Sequence, residues 1–75
     1  MPDLSFQQLR ILTGLKRARF AREANMSDET IRKLEAGGLV SKRYAQQALD
    51  TLNRLLEQHL TLSDIVGLNI SEKHF

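Results

Sequence analysis

The stretch Lys16-Arg17-Ala18-Arg19-Phe20-Ala21-Arg22-Glu23-Ala24-Asn25-Met26-Ser27-Asp28-Glu29-Thr30-Ile31-Arg32-Lys33-Leu34-Glu35-Ala36-Gly37 carries two short helical patterns joined by a tight turn. The first covers residues 17–24 and sets Phe20, Ala21 and Ala24 on one face. Asn25 follows, and asparagine tolerates the left-handed backbone that closes a helix. Ser27 then offers a hydroxyl to the free amides of the next helix. Asp28 and Glu29 put negative charge in its first turn, where the helix dipole favours it. Ile31 and Leu34 face inward, and Gly37-Gly38 stops the pattern. Phe20, Ala24, Met26, Ile31 and Leu34 fill the space between the two helices, and the small Ala21 lets them approach. The outer face of the second helix stays free, and an α-helix fits the width of the DNA major groove.

Upstream, Ser5 caps a first helix, Gln8 completes a capping box, and Leu4 is placed to staple onto Leu9. Phe6, Leu9, Leu12 and Leu15 give this helix an apolar stripe, and Gly14 marks its end. Downstream, residues 38–41 read as a loop before a long fourth helix over residues 42–59. Tyr44, Ala45, Ala48, Leu49, Leu52, Leu55, Leu56 and Leu60 follow its helical spacing. Thr61 and Asp64 form a last capping box for a short fifth helix carrying Leu62, Ile65 and Val66, ended by Gly67. Period-two alternation is absent and β-branched residues are sparse, so no strand is expected. The pattern predicts an all-α, five-helix domain over residues 1–70, with residues 71–75 as a frayed tail.

A chain of 75 residues buries only roughly 60–65% of the surface its unfolded form exposes. Cysteine is absent, so neither a disulfide nor a thiolate ligand is available, and two histidines do not make a metal cluster. No metal or cofactor is expected. His59 reads as a cation near the end of the fourth helix, and His74 falls in the tail. Ser5, Ser27, Ser41 and Ser63 suit caps or turns. Asp50 and Glu57 suit solvent. Gly37-Gly38 lacks the lysine and hydroxyl residue of a phosphate loop. The expectation is a protein that is not an enzyme. The polar start of the chain and the lack of a long apolar run point to a soluble, cytoplasmic protein with no membrane partner.

The net charge of +2 is unevenly spread. Residues 10–43 hold nine basic and four acidic side chains, whereas the rest of the chain holds two and five. A basic half suits a phosphate backbone, although the same charges also suit ordinary solvated helix faces.

The stretch resembles the phage repressor and Cro group of helix-turn-helix regulators, the XRE-type family. The likeness rests on Phe20-Ala21, the turn Asn25-Met26-Ser27, the pair Thr30-Ile31, and Leu34-Glu35-Ala36-Gly37. It covers residues 10–37 well and extends loosely to Val66; the fourth helix is longer than the family's and the glycine is doubled. The resemblance implies a compact lambda-repressor-like domain with its helix-turn-helix at helices two and three. It also implies sequence-specific binding of double-stranded DNA by a prokaryotic, phage or mobile-element transcriptional regulator, often a repressor. Residues 27–33 then form the helix that enters the groove. Lys16, Arg17, Lys42 and Arg43 meet phosphates, joined by Ser27 at the helix start. Arg10 and Glu35 match a structural ion pair between the first and third helices.

Chemistry supports part of this. Lys16, Arg17, Lys42 and Arg43 sit near helix starts, where the dipole disfavours cations and a bound phosphate would offset the cost. Arg32 and Lys33 can donate to guanine, Asp28 and Glu29 can accept from a cytosine amino group, and Thr30 can meet a thymine methyl. A plainer reading gives Asp28 and Glu29 to the helix start and Arg32 and Lys33 to solvent. Leu39, Val40, Leu55, Leu62, Leu68 and Ile70 either complete the core or leave a surplus that docks a second copy or a protein partner. The competing function is therefore a helical protein-interaction module, antitoxin-like or an assembly subunit, on the same frame.

Overall fold

A computed structural model describes residues 4–71. Strand β1 (Leu4–Ser5) leads directly into helix α1 (Phe6–Leu12). Helices α2 (Arg17–Glu23) and α3 (Asp28–Ala36) follow, then strand β2 (Leu39–Ser41) and the long helix α4 (Lys42–Leu56). A 3-10 turn (Leu62–Asp64) precedes strands β3 (Ile65–Val66) and β4 (Asn69–Ser71).

This corrects the five-helix, all-α expectation: four α-helices are combined with two small parallel sheets. Strand β1 pairs with β3, matching Leu4 to Ile65 and Ser5 to Val66. Strand β2 pairs with β4, matching Leu39 to Asn69, Val40 to Ile70 and Ser41 to Ser71. Residues 39–41 of the supposed loop at 38–41 thus form a strand, and the supposed fifth helix lasts only one 3-10 turn. Its capping box forms between Thr61 and Asp64, but the β-branched Ile65 and Val66 that follow take extended backbone and find a partner strand. Gly67, at φ +83°, then turns the chain toward β4. Ser71, expected in the frayed tail, closes the β2–β4 ladder; residues 72–75 of that tail lie outside the described residues.

The helix starts follow the hydroxyl caps. Ser5 and Gln8 form the reciprocal box at α1. Ser27 accepts from the Thr30 amide at 3.2 Å, and Ser41 accepts from the Tyr44 amide at 3.3 Å. Helix α4 ends at Leu56, short of residue 59, because Glu57 takes the left-handed conformation. Asn53 then clamps the departing chain, donating to the Leu60 carbonyl at 3.0 Å and accepting from the Leu60 amide at 2.9 Å. His59 therefore lies beyond the helix, exposed, and is not a helix-terminal cation.

The core is built from Phe6, Leu9, Phe20, Ala21, Ala24, Ile31, Leu34, Val40, Ala45, Ala48, Leu49, Leu52 and Ile65. The rings of Phe6 and Phe20 meet edge to face with centroids 5.6 Å apart. Of the apolar surplus, Val40 is buried and Leu55, Leu62, Leu68 and Ile70 pack partly against the core, whereas Leu39 is exposed. Leu12 and Tyr44, expected to face inward, are exposed as well.

Candidate nucleic-acid interface

The site is built on the α2–α3 pair. Helix α2 closes in a Schellman arrangement: the Met26 amide donates to the Ala21 carbonyl at 2.8 Å and the Asn25 amide to the Arg22 carbonyl at 3.1 Å. Asn25 supplies the left-handed residue this closure needs, at φ +56°. The chain then re-enters a helix at Ser27. Ile31 and Leu34 turn α3 onto the core, while Glu29, Arg32, Lys33 and Ala36 form its outer, exposed row. Asp28 and Thr30 sit at the edges of that row, half-buried.

Sequence reasoning places these residues on the right element, but their partners emerge only from the fold. Asp28, expected to face a base, has its carboxylate shared by two cations. Nε of Arg17 in α2 lies at 3.2 Å and the Arg32 guanidinium at 3.8 Å. The Thr30 hydroxyl is 2.8 Å from that of Ser27; with Thr30 donating, Ser27 keeps its own O–H outward and the Thr30 methyl is the group left over on that residue. Arg10 and Glu35 are brought together between α1 and α3, with side chains only 13% and 7% exposed. Arg10 also donates to the Leu15 carbonyl at 2.8 Å, tying in the approach to α2.

Lys16 stands exposed immediately before α2 and makes no side-chain capping bond. Lys42 and Arg43 are exposed in the first turn of α4, which holds no acid. Among the described residues Lys16, Lys33, Lys42 and Arg43 have no carboxylate partner, whereas Arg19 and Arg54 both pair with Glu23. The β2–β4 ladder fixes where α4 begins, since Ser41, its cap, is paired with Ser71.

One positioning residue escapes the sequence reading. Gln47 of α4 donates to the Ala24 carbonyl at 2.6 Å and the Asn25 carbonyl at 3.3 Å, holding the turn between α2 and α3. Its only sequence signal is a polar residue beside the apolar stripe of a helix, which many solvent-facing residues share. Among the described residues no helix is long and apolar enough to cross a membrane. No family model, no curated protein and no solved structure matches this chain.

Proposed function

We propose that this chain binds double-stranded DNA with sequence selectivity, laying the outer row of α3 in the major groove, and acts as a transcriptional regulator of prokaryotic, phage or mobile-element origin. The observation that supports this best is the exposed row Glu29, Arg32 and Lys33, with the exposed cations Lys16, Lys42 and Arg43, which have no carboxylate partner among the described residues, on the elements before and after it. In this reading Arg32 and Lys33 donate to guanine, Glu29 accepts from a cytosine amino group, and the Thr30 methyl meets a thymine methyl. Lys16, Arg17, Lys42 and Arg43, with Ser27, hold phosphates and displace condensed counterions.

A fluorescence-anisotropy titration of short duplexes at low salt tests the proposal, followed by selection from a random duplex pool. Saturable binding that weakens steeply with salt, and an enriched sequence, are the expected results. No duplex affinity at low salt overturns the reading. A second reading, the protein-interaction module, is favoured by Ile11 and Leu12, which stand side by side at the end of α1 with 59% and 62% exposure. Light scattering with and without duplex separates the two. A mass unmoved by any DNA, together with tight association with a protein, selects the second.

A further inference from the structure

The Asp28 carboxylate at the start of α3 is occupied by two cations with different proposed tasks. Arg17 belongs to the set proposed for phosphates, and Arg32 to the set proposed for bases. Asp28 holds the Nε–H of Arg17 at 3.2 Å, so a phosphate arriving at Arg17 either displaces that carboxylate or binds the remaining Nη donors beside a like charge. Arg32 is differently placed. It sits one helical turn from Asp28 on the same face of α3, at 3.8 Å, so both partners of this pairing move together with α3. The Arg17 and Asp28 side chains are substantially exposed, at 38% and 41%, so the pair that bridges α2 and α3 can exchange partners with a polyanion.

We propose that Asp28 is a specificity-determining residue, a selectivity clamp rather than a base reader. It competes with phosphate for Arg17, which weakens binding to every duplex. It also keeps hold of the Arg32 guanidinium, which aims that side chain where a correct base edge can receive it. A duplex with the right base recovers through Arg32 what any duplex loses through Arg17. The inference rests on the duplex reading above.

The test uses the full chain, its Asp28→Asn variant, and the same pair in an Arg17→Gln background. Each is titrated with a random-sequence duplex and with the duplex recovered by selection. Asp28→Asn keeps the side-chain shape at a surface position, and far-ultraviolet circular dichroism confirms the fold. It is expected to tighten random-duplex binding roughly two- to fivefold, the scale of an exposed ion pair. The salt slope should steepen by up to about 0.9. Affinity for the selected duplex should stay level, so discrimination falls by the same roughly two- to fivefold factor. In the Arg17→Gln background the random-duplex gain should vanish.

Equal tightening on both duplexes, an unchanged random-duplex affinity, or a gain that survives loss of Arg17 overturns the clamp while leaving duplex binding intact. A wild-type chain that prefers no sequence overturns it too. Absence of binding by wild type and variant alike overturns the duplex reading and the clamp together.

Discussion

The side-chain amide of Gln47 donates to the main-chain carbonyl of Ala24 at 2.6 Å, so the long helix α4 grips the turn that sets α3 against α2. Loss of this grip should register as stability. Gln47→Ala is expected to cost about 1 kcal/mol, the usual net worth of such a bond. In a domain of this size that corresponds to a fall in Tm of roughly 4–8 °C. A thermal melt unchanged by the substitution would show that the Schellman closure holds the turn unaided.

The Arg10–Glu35 pair makes a sharper prediction because it is so shielded. Glu35→Ala leaves the guanidinium with the Leu15 carbonyl and no counter-charge. Removing one partner of a fully buried pair costs about 3–5 kcal/mol, and this part-buried pair should lose about 2–3 kcal/mol. Replacing both, Arg10→Met with Glu35→Leu, should recover most of that loss, since the desolvation cost of the charges disappears with them. Urea denaturation of the three variants measures both values. A double variant no more stable than Glu35→Ala alone would refute the account.

Asp64 gives the fold an acid-sensitive point. The Thr61 amide donates to its carboxylate at 2.8 Å and the Thr61 hydroxyl at 3.1 Å, and these bonds hold its pKa below the ordinary 3.8. A depressed folded value means that the contribution is complete above the unfolded pKa and is lost as pH falls through the folded one. Wild type should therefore melt above Asp64→Asn at neutral pH, and the gap should begin to shrink as the pH drops below 3.8 and close once it passes the depressed folded value. A gap that persists at lower pH would contradict this.

Gly37 ends α3 at φ +79°, and an added Cβ would sit 3.4 Å from the Gly67 carbonyl oxygen. Gly37→Ala is expected to destabilise by about 1–2 kcal/mol through the left-handed backbone alone. Chemical denaturation measures it, and a neutral substitution would mean that the chain re-routes the end of α3.

Charge reversal at the head of α4 addresses the proposed function. Lys42→Glu and Arg43→Glu, both exposed and outside the core, should weaken binding to all duplexes alike. Each should reduce the salt slope by about 1 or more. Loss of binding to only one sequence would move these residues from backbone contact to base readout.

The four α-helices were legible because their signals are local, whereas the same kind of capping signal at Thr61 and Asp64 wrongly suggested a fifth. Ser5, Ser27 and Ser41 each stand directly before the turn whose amide they receive, and Asn25 and Gly37 carry the left-handed conformations at the ends. The strands were not legible. Leu4–Ser5 and Ile65–Val66 are too short to show alternation, and each is stabilised by a partner at the far end of the chain. Leu12 fits the helical spacing of α1, yet it lies on the last turn, beyond the reach of the core, and is exposed. At the site, residue types and positions along α3 could be read directly. The sharing of Asp28 between two helices could not, because it depends on how α2 and α3 cross.

The parallel ladders impose an order on the making of this protein. A ribosome delivers β1, all four α-helices and β2 before it delivers β3 or β4, since Leu4 waits for Ile65 and Val40 for Ile70. Until residues 65–71 are available, β1 and β2 are without their ladder partners and Ile65 is missing from the core. Pairing the ladders is then a non-local closure, intrinsically slower than helix formation, and a chain stalled before it offers the β1 and β2 edges to any strand nearby.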